Sequence, residues 1–224
     1  MTAYRIWRWS IVLVSGTAWV LLGAGDGTFQ LKSVLGTGFT SYFTTVGDFN
    51  GGGHPDLLVA DDGAILIFAG NGDGTFQAPT VYRANISGAI AVGDFNKDGK
   101  LDLAYADGVN VNVLLGLGNG AFQSPLKYPV YGVNGLTVAD FDGDGTLDLA
   151  AMNPASVKIL TGNGDGTFQV PQVNYIAGDS LRFVVTADFN QDGKPDLAVS
   201  DEMNNAASTP TAGGSISVLL NTGR

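Results

Sequence analysis

Asp140-Phe141-Asp142-Gly143-Asp144-Gly145-Thr146-Leu147-Asp148 places four carboxylates in nine residues, and versions of it recur along the chain. The others are Asp48–Asp56 (DFNGGGHPD), Asp94–Asp102 (DFNKDGKLD) and Asp188–Asp196 (DFNQDGKPD). Their first aspartates stand 46, 46 and 48 residues apart, which marks an array of supersecondary units rather than unrelated domains. A second landmark keeps the period. Gly70–Gln77 and Gly162–Gln169 both read GNGDGTFQ, with looser copies at Gly23–Gln30 and Gly116–Gln123. Glycine beside Asn or Asp is the chemistry of turns that need positive φ, so this element joins two antiparallel strands. No helical pattern follows these glycines and no Gly-Lys-Ser/Thr is present, which argues against a nucleotide-binding loop.

Between the landmarks the hydrophobic period is two. Val109, Val111, Val113 and Leu115 alternate with Asn110 and Asn112, and Ile216, Val218 and Leu220 lie against Ser215 and Ser217. The stretches entering the acidic loops, such as Ala89–Val92 and Phe183–Val185, are apolar on both faces and read as strands buried on both sides. Each repeat then holds an inner strand, the acidic loop, a second strand (Leu103–Tyr105), a third (Val111–Leu115), the glycine-rich turn and an outer fourth (Phe122–Tyr131). The expected fold class is all-β: a β-propeller, or partial propeller, of about four four-stranded antiparallel blades. The propeller domain spans 26–224, with repeats at about 41–88, 89–134, 135–181 and 182–224. Thirty-three glycines in 224 residues suit a chain that turns often, and 45% apolar content suffices for a core.

The formal charge is −10, and twelve of the 21 acidic residues fall in the four loops. Carboxylates so crowded repel one another unless a cation sits among them. An acidic chain with eleven Lys and Arg argues against nucleic acid as a partner. Oxygens at loop positions 1, 3, 5 and 9, a backbone carbonyl at 7 and a glycine at 6 suit a hard ion that takes about six to eight oxygens. That is calcium chemistry, with no soft ligand for zinc or copper. The candidate ligands in the third loop are Asp140, Asp142, Asp144, the Thr146 carbonyl and Asp148. The second loop offers Asp94, Asn96, Asp98, the Lys100 carbonyl and Asp102, and the fourth Asp188, Asn190, Asp192, the Lys194 carbonyl and Asp196. In the first, Gly52 replaces the position-5 ligand and leaves Asp48, Asn50 and Asp56. Carboxylate count ranks the third loop strongest and the first weakest. An EF-hand would carry a glutamate at position 12 and flanking helices, and neither is present.

At these residues the chain resembles the FG-GAP or VCBS repeat family, whose integrin α-subunit members form β-propellers with calcium in the loop between the first two strands of a blade. Motif, period and the GNGDGTF turn all coincide, over about residues 17–224. The resemblance implies Ca2+ at the ligands named above and a secreted or cell-surface binding, adhesion or scaffolding module for a protein or carbohydrate. Other family members are propellers of polysaccharide lyases, so a polysaccharide-active enzyme, lyase or glycosidase, is the alternative reading.

Residues 1–25 have two readings. Arg5 and Arg8 ahead of Ile11–Val14 and Trp19–Leu22 resemble a signal peptide. The same stretch aligns with a repeat, as strands of a truncated first blade, because Gly16 and Thr17 fall where the other copies turn. Gly27–Gly36 reads as a fourth strand with no blade before it. Strand exchange between it and the last repeat would close a ring, and open strand edges would otherwise favour self-association or further blades. No catalytic constellation stands out, so the chain is expected not to be an enzyme: His54, the single histidine, occupies position 7 of the weakest loop, and Glu202 is the single glutamate. Strand alternation puts the acidic loops and GDGT turns at one end of each sheet. The opposite end carries Asp61-Asp62, Asp107–Asn110, Tyr131–Asn134, Met152–Ser156 and the insertion Asp201–Gly214, where loops vary and a protein or glycan ligand is expected.

Overall fold

The computed structural model describes residues 9–14, 16–38, 41–61, 63–170, 173–178, 180–202 and 214–223. Arg5, Arg8, Asp62 and residues 203–213 of the insertion lie outside these. Among the described residues there are strands and turns but no helix, hence none long and apolar enough to cross a membrane.

The strands form five antiparallel sheets, each an up-and-down meander of the kind that makes a propeller blade. The first holds β1 (Trp9–Val14), β2 (Thr17–Gly23) and β3 (Phe29–Gly36). The second holds β4 (Ser41–Gly47), β5 (Asp56–Asp61), β6 (Ala64–Phe68) and β7 (Thr80–Arg83). The third holds β8 (Ile90–Gly93), β9 (Asp102–Ala106), β10 (Asn110–Leu114) and β11 (Leu126–Pro129). The fourth holds β12 (Gly135–Ala139), β13 (Asp148–Asn153), β14 (Ser156–Leu160) and β15 (Asn174–Ile176), and the fifth β16 (Leu181–Ala187), β17 (Asp196–Asp201) and β18 (Ser215–Leu219).

Among the described residues the strands form three four-stranded sheets flanked in sequence by two of three strands, in keeping with the expected partial propeller of about four four-stranded blades. Two expectations need correction. Gly27–Gly36 does not lack a blade: β3 pairs along its length with β2, from Thr17 opposite Gly36 to Gly23 opposite Phe29, so its ladder is taken up within its own sheet. The outer fourth strand is also shorter than Phe122–Tyr131. Pro125 has no N–H for the ladder, so the strand runs only over Leu126–Pro129, and Phe122 instead forms a single bridge with Gly116.

The chain divides into two compact units, Met1–Ile86 with Gly118–Ala121, and Ser87–Leu117 with Phe122–Arg224. In the first unit, Ala18 and Val20 of β2 pack on Leu57, Val59, Leu66 and Phe68 of the second sheet. In the other unit, Ala104, Ala106, Val111 and Val113 of the third sheet meet Leu149, Ala151 and Leu160 of the fourth. The opposite face of that fourth sheet, through Ala150, Met152 and Val157, meets Leu197 and Val199 of the fifth. Successive side chains of a strand thus serve successive interfaces, which is why inner strands such as β9 are buried at every position.

Candidate metal centre

Each acidic loop connects the first two strands of a sheet and is folded by its own carboxylates. Positions 4 and 6 take left-handed backbone: Gly51 and Gly53, Lys97 and Gly99, Gly143 and Gly145, Gln191 and Gly193. These turns aim the N–H groups of positions 5 and 6 at the position-1 aspartate. Asp48 accepts from Gly52 and Gly53 at 3.0 and 2.8 Å, Asp94 from Asp98 and Gly99 at 3.1 and 2.9 Å, and Asp188 from Asp192 and Gly193 at 3.1 and 2.9 Å. Asp140 accepts from Gly143, Asp144 and Gly145 at 2.7, 3.1 and 2.8 Å. The position-3 oxygen of Asn50, Asn96, Asp142 or Asn190 accepts a further bond from the position-5 N–H.

The position-9 aspartates have a second role that ligand counting does not reveal. Asp56, Asp102, Asp148 and Asp196 are essentially inaccessible to solvent. One oxygen accepts the N–H of the position-2 phenylalanine: Phe49, Phe95, Phe141 and Phe189, at 2.8–2.9 Å. The other accepts an N–H from just beyond the third strand: Gly70, Gly116, Gly162 and Asn221, at 2.7–2.8 Å. Each aspartate thereby ties its loop to the turn that follows. The fixed 14-residue spacing from Asp56 to Gly70, Asp102 to Gly116 and Asp148 to Gly162 is the sequence signal for this latch. The insertion lengthens it to 25 for Asp196 and Asn221. Glycine begins the turn because a Cβ at Gly70, Gly116 or Gly162 would collide with the carbonyl of Pro55, Leu101 or Leu147.

The turns also reach the loop of the preceding repeat. Gly120 donates to the Phe49 carbonyl at 3.0 Å, and Gly166 to that of Phe95 at 3.1 Å. The Phe168 ring meets Phe95 and Tyr128 edge-on, at centroid distances of 5.3 and 5.9 Å, and its N–H donates to the Tyr128 hydroxyl.

Only the third loop, among the described residues, gathers three carboxylates around one point. Oxygens of Asp140, Asp142 and Asp148 all lie within 4.8 Å of one another. Two oxygens bound to one calcium at about 2.4 Å each can be at most about 5 Å apart, so the cluster has the right size for a hard divalent cation. Burial, and then the charges of Asp142 and Asp140, push the Asp148 carboxyl up against the pull of its two backbone donors. Asp102 is pushed up in the same way, by burial and then by Asp98 and Asp94.

The remaining candidates are placed differently. The Oδ1 of Asp144 accepts the Thr146 hydroxyl and N–H, at 2.5 and 2.7 Å, and this pairing, the hydroxyl first, lowers its carboxyl. Asp144 therefore stands outside the group of three. In the second loop the Lys100 ammonium pairs with Asp98 at 3.1 Å, while in the fourth the Lys194 ammonium turns to the Thr222 carbonyl. Neither loop brings three carboxylates within the distance seen in the third. In the first loop Gly52 lies outside the left-handed region, and a Cβ there would come within 2.6 Å of the Asn50 Oδ1, so that this flexible side chain must shift to admit one. We therefore expect Gly52→Asp to fold normally and to raise the calcium stoichiometry or affinity seen by titration calorimetry. An unchanged isotherm would show that this loop cannot be completed.

Repeated blade-type sheets, four of the five opened by a carboxylate-lined loop, define a class of propeller-repeat protein. The FG-GAP-like repeat pattern matches residues 48–105, 94–151 and 140–199, and the FG-GAP repeat pattern residues 181–219. The chain belongs to the FG-GAP repeat family. No curated protein sequence matches it. Among solved structures it is similar to an Agrocybe aegerita lectin that recognises non-reducing terminal N-acetylglucosamine, at 19% identity and TM-score 0.58, over 98% of this chain and 67% of the lectin. It is also similar to the V. cholerae biofilm matrix protein Bap1, at 20% identity and TM-score 0.53, over 95% of this chain and 34% of that one. These likenesses are of fold.

Proposed function

We propose that this chain is an extracellular, calcium-stabilised, non-catalytic binding module whose ligand is a glycan, held at the loops opposite the acidic ones. The observation that carries this reading is a rigid surface around Tyr131 within the Ser87–Leu117 and Phe122–Arg224 unit. There Gly132 donates to the Gly108 carbonyl at 3.0 Å, Asn134 to Met152 at 2.9 Å, and Leu181 to Pro154 at 3.0 Å, so four loops are bonded edge to edge. Side-chain oxygens brace the turns. Asn153 accepts from Ala155 and Ser156, and Asp107 from Val109 and Asn110. Burial opposes the Asp107 charge, but the nearby Asn112 amide and the bonds from Asn110 and Val109 outweigh it and hold this carboxyl down at about 2.

Tyr131 stands 66% exposed on this surface, in the turn bonded to the one that carries the exposed Val109. An aromatic face on a rigid turn stacks against the C–H face of a sugar ring at little entropic cost, and neighbouring loop amides can supply directional hydrogen bonds. The lectin and matrix-protein neighbours support the reading by analogy of fold. Calcium acts at the other end of the sheets, where the Asp140, Asp142 and Asp148 oxygens suit it, and serves to fix the loops.

A glycan array probed with the intact chain tests this. The parent should bind a limited set of glycans, and Tyr131→Ala should lose them while keeping the parent melting temperature. A parent that binds no glycan, or a Tyr131→Ala chain that binds as well, would overturn the assignment.

A further inference from the structure

Beyond that ligand surface, the fifth sheet presents a bare copy of a face that is covered everywhere else in its unit. In the third sheet Ala104, Val111, Val113 and Phe95 pack on the fourth, and in the fourth Ala150, Val157, Ile159 and Phe141 pack on the fifth. Counted from the position-9 aspartate and from the turn, the matching residues of the fifth sheet are Ala198, Ile216, Val218 and Phe189. Val111 and Val157 are fully buried, whereas Ile216 is 74% exposed. Phe95 is 2% exposed, whereas Phe189 is 46%. Phe183 and Val185 of β16 extend the same apolar patch.

The chain also carries the complementary face. In the first unit Leu66 and Phe68 of β6 are buried against the first sheet. The matching positions of β2 are Trp19 and Leu21, and Trp19 is exposed together with its cross-strand neighbour Val34 and with Leu31 opposite Leu21. Within its own unit, then, neither of these two faces is covered by another sheet.

We propose that the outer face of the fifth sheet docks the outer face of the first sheet of a second copy of this chain. The interface continues the stacking already seen between the third, fourth and fifth sheets, with the same residue positions on each side. It is heterologous, so each copy keeps one face free and association proceeds head to tail. Contiguous apolar area of this kind is what marks a protein docking site on a folded surface.

Sedimentation velocity of the full chain over a wide concentration range tests the pairing. The parent should form species larger than a monomer as concentration rises. Ile216→Asp and Trp19→Asp should each sediment as monomers, since each spoils one of the two faces, while their equimolar mixture should form a one-to-one dimer and stop there. Val218→Asp replaces Ile216→Asp if the latter does not fold. A parent that stays monomeric throughout would overturn the proposal, and would leave the patch to the same chain or to a further blade. Variants that associate as the parent does would overturn it as well.

Discussion

Asp56→Ala is expected to destabilise the chain by about 3–6 kcal/mol, with or without calcium. Asp56 is fully buried and accepts three backbone bonds, from Phe49 and Asn50 within its loop and from Gly70 beyond the third strand. Truncation leaves three donors in or near the core without a partner, and each buried unsatisfied group costs about 1–3 kcal/mol. Against a total stability of about 5–15 kcal/mol that is a large fraction. The first loop is the place to measure it, because it has the poorest ion ligands and so separates the latch from any metal. Denaturant unfolding in excess chelator reads the effect directly. A loss below about 1 kcal/mol would mean that water satisfies these amides and that the latch contributes little.

The second large effect is chelation. A cation that binds only the folded state adds RT ln(1 + [L]/Kd), about 2.7 kcal/mol per site at a hundred times Kd. For a chain of this size that corresponds to about 5–10 °C, so EDTA should lower the melting temperature by that much and calcium restore it. The increment should also shrink in acid. The folded value of Asp148 is raised, so the ion-free folded state holds this proton more tightly than the unfolded chain does, and its share of stability grows as pH falls through the raised value. Calcium needs the deprotonated form, so its contribution runs the other way. A melting curve indifferent to EDTA at neutral pH would remove calcium from the account.

Much of the fold is legible in the sequence because both of its periods survive into the structure. The two-residue alternation of Val111 and Val113 against Asn110 and Asn112 places β10, and the spacing of the acidic loops places the sheets. The errors arise where a local rule meets a backbone partner that carries no side-chain signature. Phe122 looks like strand but leaves the ladder to bridge Gly116, with Pro125 between it and β11. Gly27–Gly36 looks unpartnered because the strand that pairs with it, β2, and β1 beyond it read equally as an apolar leader.

At the site, ligand counting ranks the third loop first but gives no sign that the Asp144 Oδ1 accepts from Thr146 two residues on, a pairing that Asp-x-Thr allows in any turn. The same pairing recurs at Asp73 with Thr75 and Asp165 with Thr167 in the glycine-rich turns. The latch role of Asp56 and its equivalents is hidden because its partners are amides, which every residue has. Only the constant spacing to the following glycine betrays it.

Asp142 offers the most direct test of the metal centre, because it belongs to the carboxylate group of the third loop yet accepts only one long bond, 3.2 Å from the Asp144 amide. Its loss therefore removes a ligand and leaves the fold intact. Calcium titration by calorimetry of the parent and of Asp142→Ala decides the matter. Loss of one calcium equivalent, or weakening by about tenfold or more, with an unchanged melting curve in chelator is the predicted result. Equal stoichiometry and equal affinity in the two proteins would contradict it.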